Sequence, residues 1–125
     1  MIYSVHEYRA VNVQQTVDAT ATAVYGFEIP EGTVVTIRVA AAAQNLSNGD
    51  SAAYYRSATF KRSVGGAASQ VGTTTSTMTS EDAGAAAWDC TLTLSSDTIN
   101  INVIGVAATT IDWICNTEVA LYTNE

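Results

Sequence analysis

Apolar and polar residues alternate along most of this chain with a period of two, as strands with one buried and one wet face require. The alternation is strictest between Ala85 and Cys115. Trp88, Cys90, Leu92 and Leu94 are apolar, with Asp89, Thr91, Thr93 and Ser95 in the slots between them. After the turn-forming Ser95-Ser96-Asp97, Ile99, Ile101 and Val103 repeat the pattern against Thr98, Asn100 and Asn102. Ile111, Trp113 and Cys115 then enter the same apolar layer. Three consecutive strands of this kind predict an antiparallel meander, with Trp88, Leu92, Ile101 and Trp113 defining the core.

The rest of the chain reads in the same terms. Ala23, Tyr25, Phe27 and Ile29 share one face of a strand that Pro30-Glu31-Gly32 ends, because proline cannot donate to a ladder. From Thr33 to Ala43, Val35, Ile37 and Val39 point inward and Thr36 and Arg38 outward. The alanines after Val39 extend this strand only where neighbours pack close. Asn48-Gly49-Asp50 is a turn, since Asn and Gly accept positive φ. Ser51 to Arg62 follows with Tyr54, Ala58 and Phe60 on one face. Arg56 shares that face, which requires a rim position or a paired guanidinium. Residues 70–79 are a solvated edge strand or an extended loop, and 80–84 a loop exposing Glu81 and Asp82. Glu118 to Leu121 continues the last strand.

Near the N-terminus, Tyr3, Val5, Tyr8, Val11 and Val13 fit neither a strand nor a helix period throughout. Residues 1–18 are therefore read as an arm or edge strand, and 19–125 as the main domain. No segment forms a convincing amphipathic helix. Seven or eight strands with regular turn signals predict an all-β, antiparallel β-sandwich with an irregular N-terminal arm. The same strands would also close a barrel.

The length of 125 residues suits one domain with its own core. Only 14% of residues are charged and the net charge is −7, which argues against nucleic acid as a partner. Of the five basic residues only Arg56, Lys61 and Arg62 lie close in sequence. The longest apolar run, Val39 to Ala43, is too short to cross a bilayer, and the first residues lack a secretory pattern. Synthesis in a cytoplasm is expected, so Cys90 and Cys115 are read as buried free thiols, with a bridge between them as the alternative.

Candidate chemistry is sparse. His6, the single histidine, lies in the arm and is read as a surface or packing residue, which leaves no base for a nucleophilic triad. The carboxylate pairs Glu81/Asp82 and Asp89/Asp112 are read as solvated charges, although Asp89 and Asp112 would approach each other if their strands were neighbours. No His/Cys spacing suits zinc, and Asn48, Asp50 and Asp97 lack the acidic run of a calcium loop. No metal or other cofactor is expected. Asn45-Leu46-Ser47 matches a glycosylation sequon that has no meaning without secretion. Trp88 and Trp113 share register with the apolar sets and are assigned to the core rather than to a sugar-stacking platform.

Several segments together resemble a recurring β-domain of tailed-bacteriophage virion proteins. They are SAAYYRSATFKR, SQVG, AAWDCTLTL and TININVIGVAATTIDWICNTEV, and the matching positions are Tyr54, Thr59, Phe60, Lys61, Arg62, Val71, Gly72, Trp88, Gly105, Thr110 and Trp113. The likeness spans roughly Thr33 to Val119. Cys90 and Cys115 depart from it, standing where small or aliphatic residues are usual. The resemblance implies a structural or attachment role in a virion and brings no catalytic residue. With Met1 opening the chain, the expectation is a small separate virion protein: a capsid decoration or cement protein on the major capsid protein, oligomeric and most simply trimeric. The residues expected to dock are Tyr3, Val5, Tyr8, Val11 and Val13. The rival expectation is a tail or tail-fibre protein that binds host-surface glycan through exposed aromatics such as Tyr55 or Tyr122. A glycan-cleaving enzyme working through the carboxylates is the third.

Overall fold

The computed structural model describes residues 2–124, with side chains described for 4–123. Eight strands follow in order: β1 (Ile2–Thr16), β2 (Thr22–Glu28), β3 (Thr33–Asn45), β4 (Ser51–Arg62), β5 (Ala68–Glu81), β6 (Asp89–Ser95), β7 (Thr98–Ile104) and β8 (Ile111–Asn124). A single 3-10 turn, Ala83–Ala85, joins β5 to β6. All pairings are antiparallel. They form a five-stranded sheet of order β1-β8-β3-β4-β5 and a three-stranded sheet of order β2-β7-β6. The predicted sandwich is present, and its two separate sheets answer the barrel question.

The core is the layer between the sheets. Val35, Ile37 and Val39 of β3, Tyr54 and Phe60 of β4, and Trp113, Cys115 and Val119 of β8 are buried from the large sheet. Cys90 and Leu92 of β6 and Ile99, Ile101 and Val103 of β7 are buried from the small one. Trp113 packs between two other rings. Its centroid is 6.1 Å from Tyr54 in a stacked arrangement and 6.2 Å from Trp88 in a tilted one. Ala41 pairs with Cys115 and Tyr54, and Ala43 with Trp113 and Ala52. Small side chains there give the indole its room, which is why the alanine run stays in the strand.

Two details depart from the sequence reading, in the meander and in β2, and two decide between alternatives it left open. Of the two readings of the N-terminal segment, irregular arm and edge strand, the edge strand holds: it is 15 residues long and paired with β8 from Ile2/Asn124 to Thr16/Ile111. Its period was unreadable because both faces carry apolar residues: Tyr8 lies 6.1 Å from Phe27 on the inner side, while Val5, Val11 and Val13 point outward. The meander is a β6–β7 hairpin only, since β8 crosses to the other sheet between β1 and β3. Alternation fixes which face is buried but not which strand is the neighbour. In β2, a register shift between Ala23 and Tyr25 leaves Ala23 exposed and packs Val24 on the core. Finally, residues 70–79 lie in the edge strand β5. Between the pairs Thr59/Val71 and Ser57/Thr75, β4 advances two residues and β5 four. Gly72 sits in this bulge at φ 73°, a conformation that favours glycine and twists the edge away from further pairing.

Candidate functional site

The titratable side chains singled out in the sequence do not converge. His6 is exposed on β1. Asp89 belongs to β6 and Asp112 to β8, so the pair lies in different sheets. Asp112 Oδ1 accepts from Gln15 Nε2 at 2.8 Å. Of the neighbouring acids, Glu81 accepts a 2.6 Å bond from the Tyr54 hydroxyl, and Asp82 Oδ2 accepts from Ser51 N. Burial, and then the Glu81 carboxylate, hold Tyr54 far above the ordinary phenol range. Asn48 and Asp50 serve the β3–β4 turn, with Asp50 N donating to Asn48 Oδ1. The sequon residue Asn45 is buried, and its Oδ1 accepts from Ser47 N. Among the described residues, no three His, Cys, Asp or Glu side chains gather where a cation would be held.

The apparent basic cluster also disperses. Lys61 is exposed, while Arg56 and Arg62 turn inward as structural fasteners. Arg62 Nη1 donates to Ile29 O at 2.9 Å, and its guanidinium pairs with Asp97 at 3.4 Å. Arg56 donates to Cys90 O and Met78 O and reaches Asp89 at 3.3 Å. Cys90 and Cys115 are free and buried, as the sequence suggested. Burial pushes Cys115 up to about 11 and, with Cys115 adding to the effect, Cys90 up to about 12. Such thiols are neutral and unreactive.

What the fold does assemble is a surface. The outer face of the five-stranded sheet has no protein layer over it, and its side chains form cross-strand rows. In the first, Gln15, Asp112, Gln44 and Ser51 are in register across β1, β8, β3 and β4. The next row is Val13, Ile114, Ala42 and Ala53, and the third is Val11, Asn116, Ala40 and Tyr55, with Met78 beyond on β5. The fourth is charged: Arg9, Glu118, Arg38 and Ser57. Arg38 pairs with Glu118 at 3.2 Å, and Arg9 Nε donates to Asn116 Oδ1 at 3.0 Å.

The two middle rows make a stripe that is apolar except for Asn116. Val13 is 75% exposed, Val11 58%, Tyr55 49% and Ile114 47%, around a floor of alanines. Isolated exposed apolar residues are ordinary, whereas large contiguous apolar patches edged by polar residues are a feature that interaction surfaces share.

Three of the five residues expected to dock, Val5, Val11 and Val13, lie on this face. Tyr8 lies on the opposite side of β1, and the side chain of Tyr3 is outside the described residues. Trp88, Leu92, Ile101 and Trp113 are all buried. Sequence reasoning missed Ile114 and the outward alanines Ala40, Ala42 and Ala53. The signal was present: Ile114 occupies an outward slot of the Ile-Asp-Trp-Ile-Cys alternation where a polar residue is due.

No protein-family model matches this chain, and no curated protein matches it. Three solved structures are similar to it to differing degrees. The tailspike protein of Acinetobacter baumannii phage AM24 superposes with a TM-score of 0.50 over 94% of this chain at 9% identity. That of Acinetobacter phage vB_ApiP_P1 gives 0.48 over 89% at 15% identity. Tailspike protein gp49 of Acinetobacter baumannii bacteriophage Fri1, described as a capsular polysaccharide depolymerase, gives 0.37 over 91% at 14% identity. This chain spans 26%, 21% and 17% of those three chains, respectively. The first likeness places the fold among those found in phage tailspikes.

Proposed function

We propose that this chain is a structural β-domain of a tailed-phage virion, belonging to the tail apparatus rather than to the capsid shell. In this role it contributes a rigid sandwich and a docking face, and no catalysis. The observation that carries the reading is the AM24 tailspike likeness, which takes in 94% of this chain, more than the sequence resemblance covered. The outer stripe of the large sheet supports an assembly role, since it offers a flat surface to a neighbour and no convergent acid, base or metal group. The deciding experiment is quantitative mass spectrometry of purified particles, counting this chain against the major coat protein. A handful of copies per particle, lost with the tails on tail–head separation, is the expected result. A stoichiometry near that of the coat protein would overturn it in favour of decoration or cement.

A second reading, binding of host-surface glycan, is favoured by Tyr55. Its half-exposed ring borders Asn116, Glu118 and Arg38, a polar row beside an aromatic face as sugar binding needs. Glycan-array signal that disappears in Tyr55→Ala would support it, and an array with no signal would remove it.

A further inference from the structure

We infer that a second copy of this chain docks on the outer face of the five-stranded sheet. The two copies are related by a two-fold axis lying across the strands between Ile114 and Asn116. This concerns the isolated chain and holds whichever part of the particle carries it.

Size is the first argument. Five strands at about 4.8 Å spacing, and the six outward residues of β8 from Asp112 to Tyr122 at about 6.8 Å intervals, outline a face of about 24 by 34 Å. That is about 800 Å², the contribution of one partner to a standard-size interface. The middle of the face is low and, apart from Asn116, apolar. Ala40, Ala42 and Ala53 let a facing sheet approach closely, and Val11, Val13 and Ile114 stand above them as knobs.

Charge is the second argument, and it selects the partner. The row on one side of the stripe, Gln15-Asp112-Gln44-Ser51, carries one negative charge. The row on the other side, Arg9-Glu118-Arg38-Ser57, carries a net positive one. The two rows are equidistant from the axis, so a two-fold lays the acidic row of each copy over the basic row of the other.

Sheets packed face to face are rotated by about 30°, and at about 10 Å from the axis this shifts a residue sideways by about 5 Å, one strand spacing. Asp112 of one copy, on β8, therefore moves off the facing Glu118 and onto β1 or β3. The charged-row residue there is Arg9 or Arg38, an arginine in either sense of rotation. A surface complementary to itself in this way fits an isologous pair.

The test is sedimentation equilibrium on the 125-residue chain from about 1 to 200 μM, a range that brackets micromolar dissociation constants. The expected species is twice the 13.1 kDa chain mass. Ile114→Arg and Val13→Asp, both at solvent-facing positions, should each raise the dissociation constant at least about 100-fold, as loss of a central apolar anchor does. Their circular-dichroism melts should stay near that of the parent. Asp112→Arg should weaken association, and adding Arg9→Asp and Arg38→Asp to it should restore the dimer. A monomer across the whole range, a trimer, or a dimer indifferent to both Ile114→Arg and Val13→Asp would each overturn the proposal. The particle count that tests the tail assignment is independent of all these outcomes.

Discussion

Replacing Arg56 by methionine removes the polar fastener between the two sheets while keeping most of the side chain's bulk. The guanidinium is buried with the rest of the residue, which is 7% exposed, and lies 5.0 Å over the Tyr54 ring. It donates to Met78 O at 2.8 Å, Cys90 O at 3.1 Å and Tyr55 O at 3.2 Å, and reaches Asp89 Oδ1 at 3.3 Å. The cost of losing these contacts divides unequally. Cys90 is on an edge strand and Met78 beside a bulge, so neither carbonyl has a ready substitute donor. Leaving a buried acceptor unpaired costs about 1–3 kcal/mol, so the two together cost about 2–6 kcal/mol. The Asp89 side chain is 48% exposed, so water takes over from the guanidinium and the ion pair itself is worth below about 1 kcal/mol. At about 2.1 cal/mol/K of unfolding entropy per residue, about 2–6 kcal/mol lowers the melting temperature by about 8–23 °C. The assay is a pair of circular-dichroism melts, Arg56→Met beside Asp89→Asn. The reasoning predicts a large drop in the first and about 4 °C or less in the second. Equal drops would refute it, because the ion pair rather than the carbonyls would then be the fastener.

Other consequences are open to the same instruments. Gly105→Ala would put a methyl 2.6 Å from Thr16 Oγ1 and 3.1 Å from Asp18 O, displacing the acceptor of the Trp113 indole N–H; a loss of about 2 kcal/mol by urea titration is expected. Trp113→Phe should cost about 1–2 kcal/mol more than Trp88→Phe, because Trp113 Nε1 donates to Thr16 Oγ1 at 2.9 Å whereas the buried Trp88 Nε1 has no partner among the described residues. The folded chain keeps both thiols protonated after an unfolded chain would ionise them. Their contribution to stability is therefore complete below about pH 9. It is lost as the pH rises from 9 through 11 to 12, at about 1.4 kcal/mol per pH unit for each thiol, which melts at stepped pH will show. Thiol reagents at pH 8 should label Cys90 and Cys115 only as fast as the domain opens, a rate that rises in Arg56→Met.

How legible the molecule was depended on whether each strand had one buried face. Where it did, in β3, β4, β6, β7 and β8, the alternation of Val35-Ile37-Val39 or Trp113-Cys115 reported the core directly. The inward Arg56 was visible as a charge out of place that needed a partner. The partners themselves, Cys90 O and Met78 O, were not visible, because backbone carbonyls leave no trace in composition. β1 defeated the reading because Tyr8 serves the inner layer and Val11 and Val13 the outer surface. The apolar stripe was hidden for a related reason. Ile114 and the alanines look like core until the register shows that their neighbours Trp113, Ala41 and Ala43 already fill that side. Sheet order was the least legible of all, since nothing in residues 105–110 announces that the chain leaves one sheet for the other.

The pairing of the first strand with the last has a mechanical consequence. Because β1 and β8 run antiparallel from the Ile2/Asn124 pair, the two ends of the sandwich lie side by side at one edge. A load applied through those ends meets the β1–β8 hydrogen bonds one pair at a time rather than all at once. The ladder unzips from Ile2/Asn124 toward Thr16/Ile111, where the Trp113–Thr16 bond and the packed core arrest it. Under tension through those ends, the outermost strand is expected to detach first while the other seven hold together. A domain loaded this way would give at one edge and hold at its core.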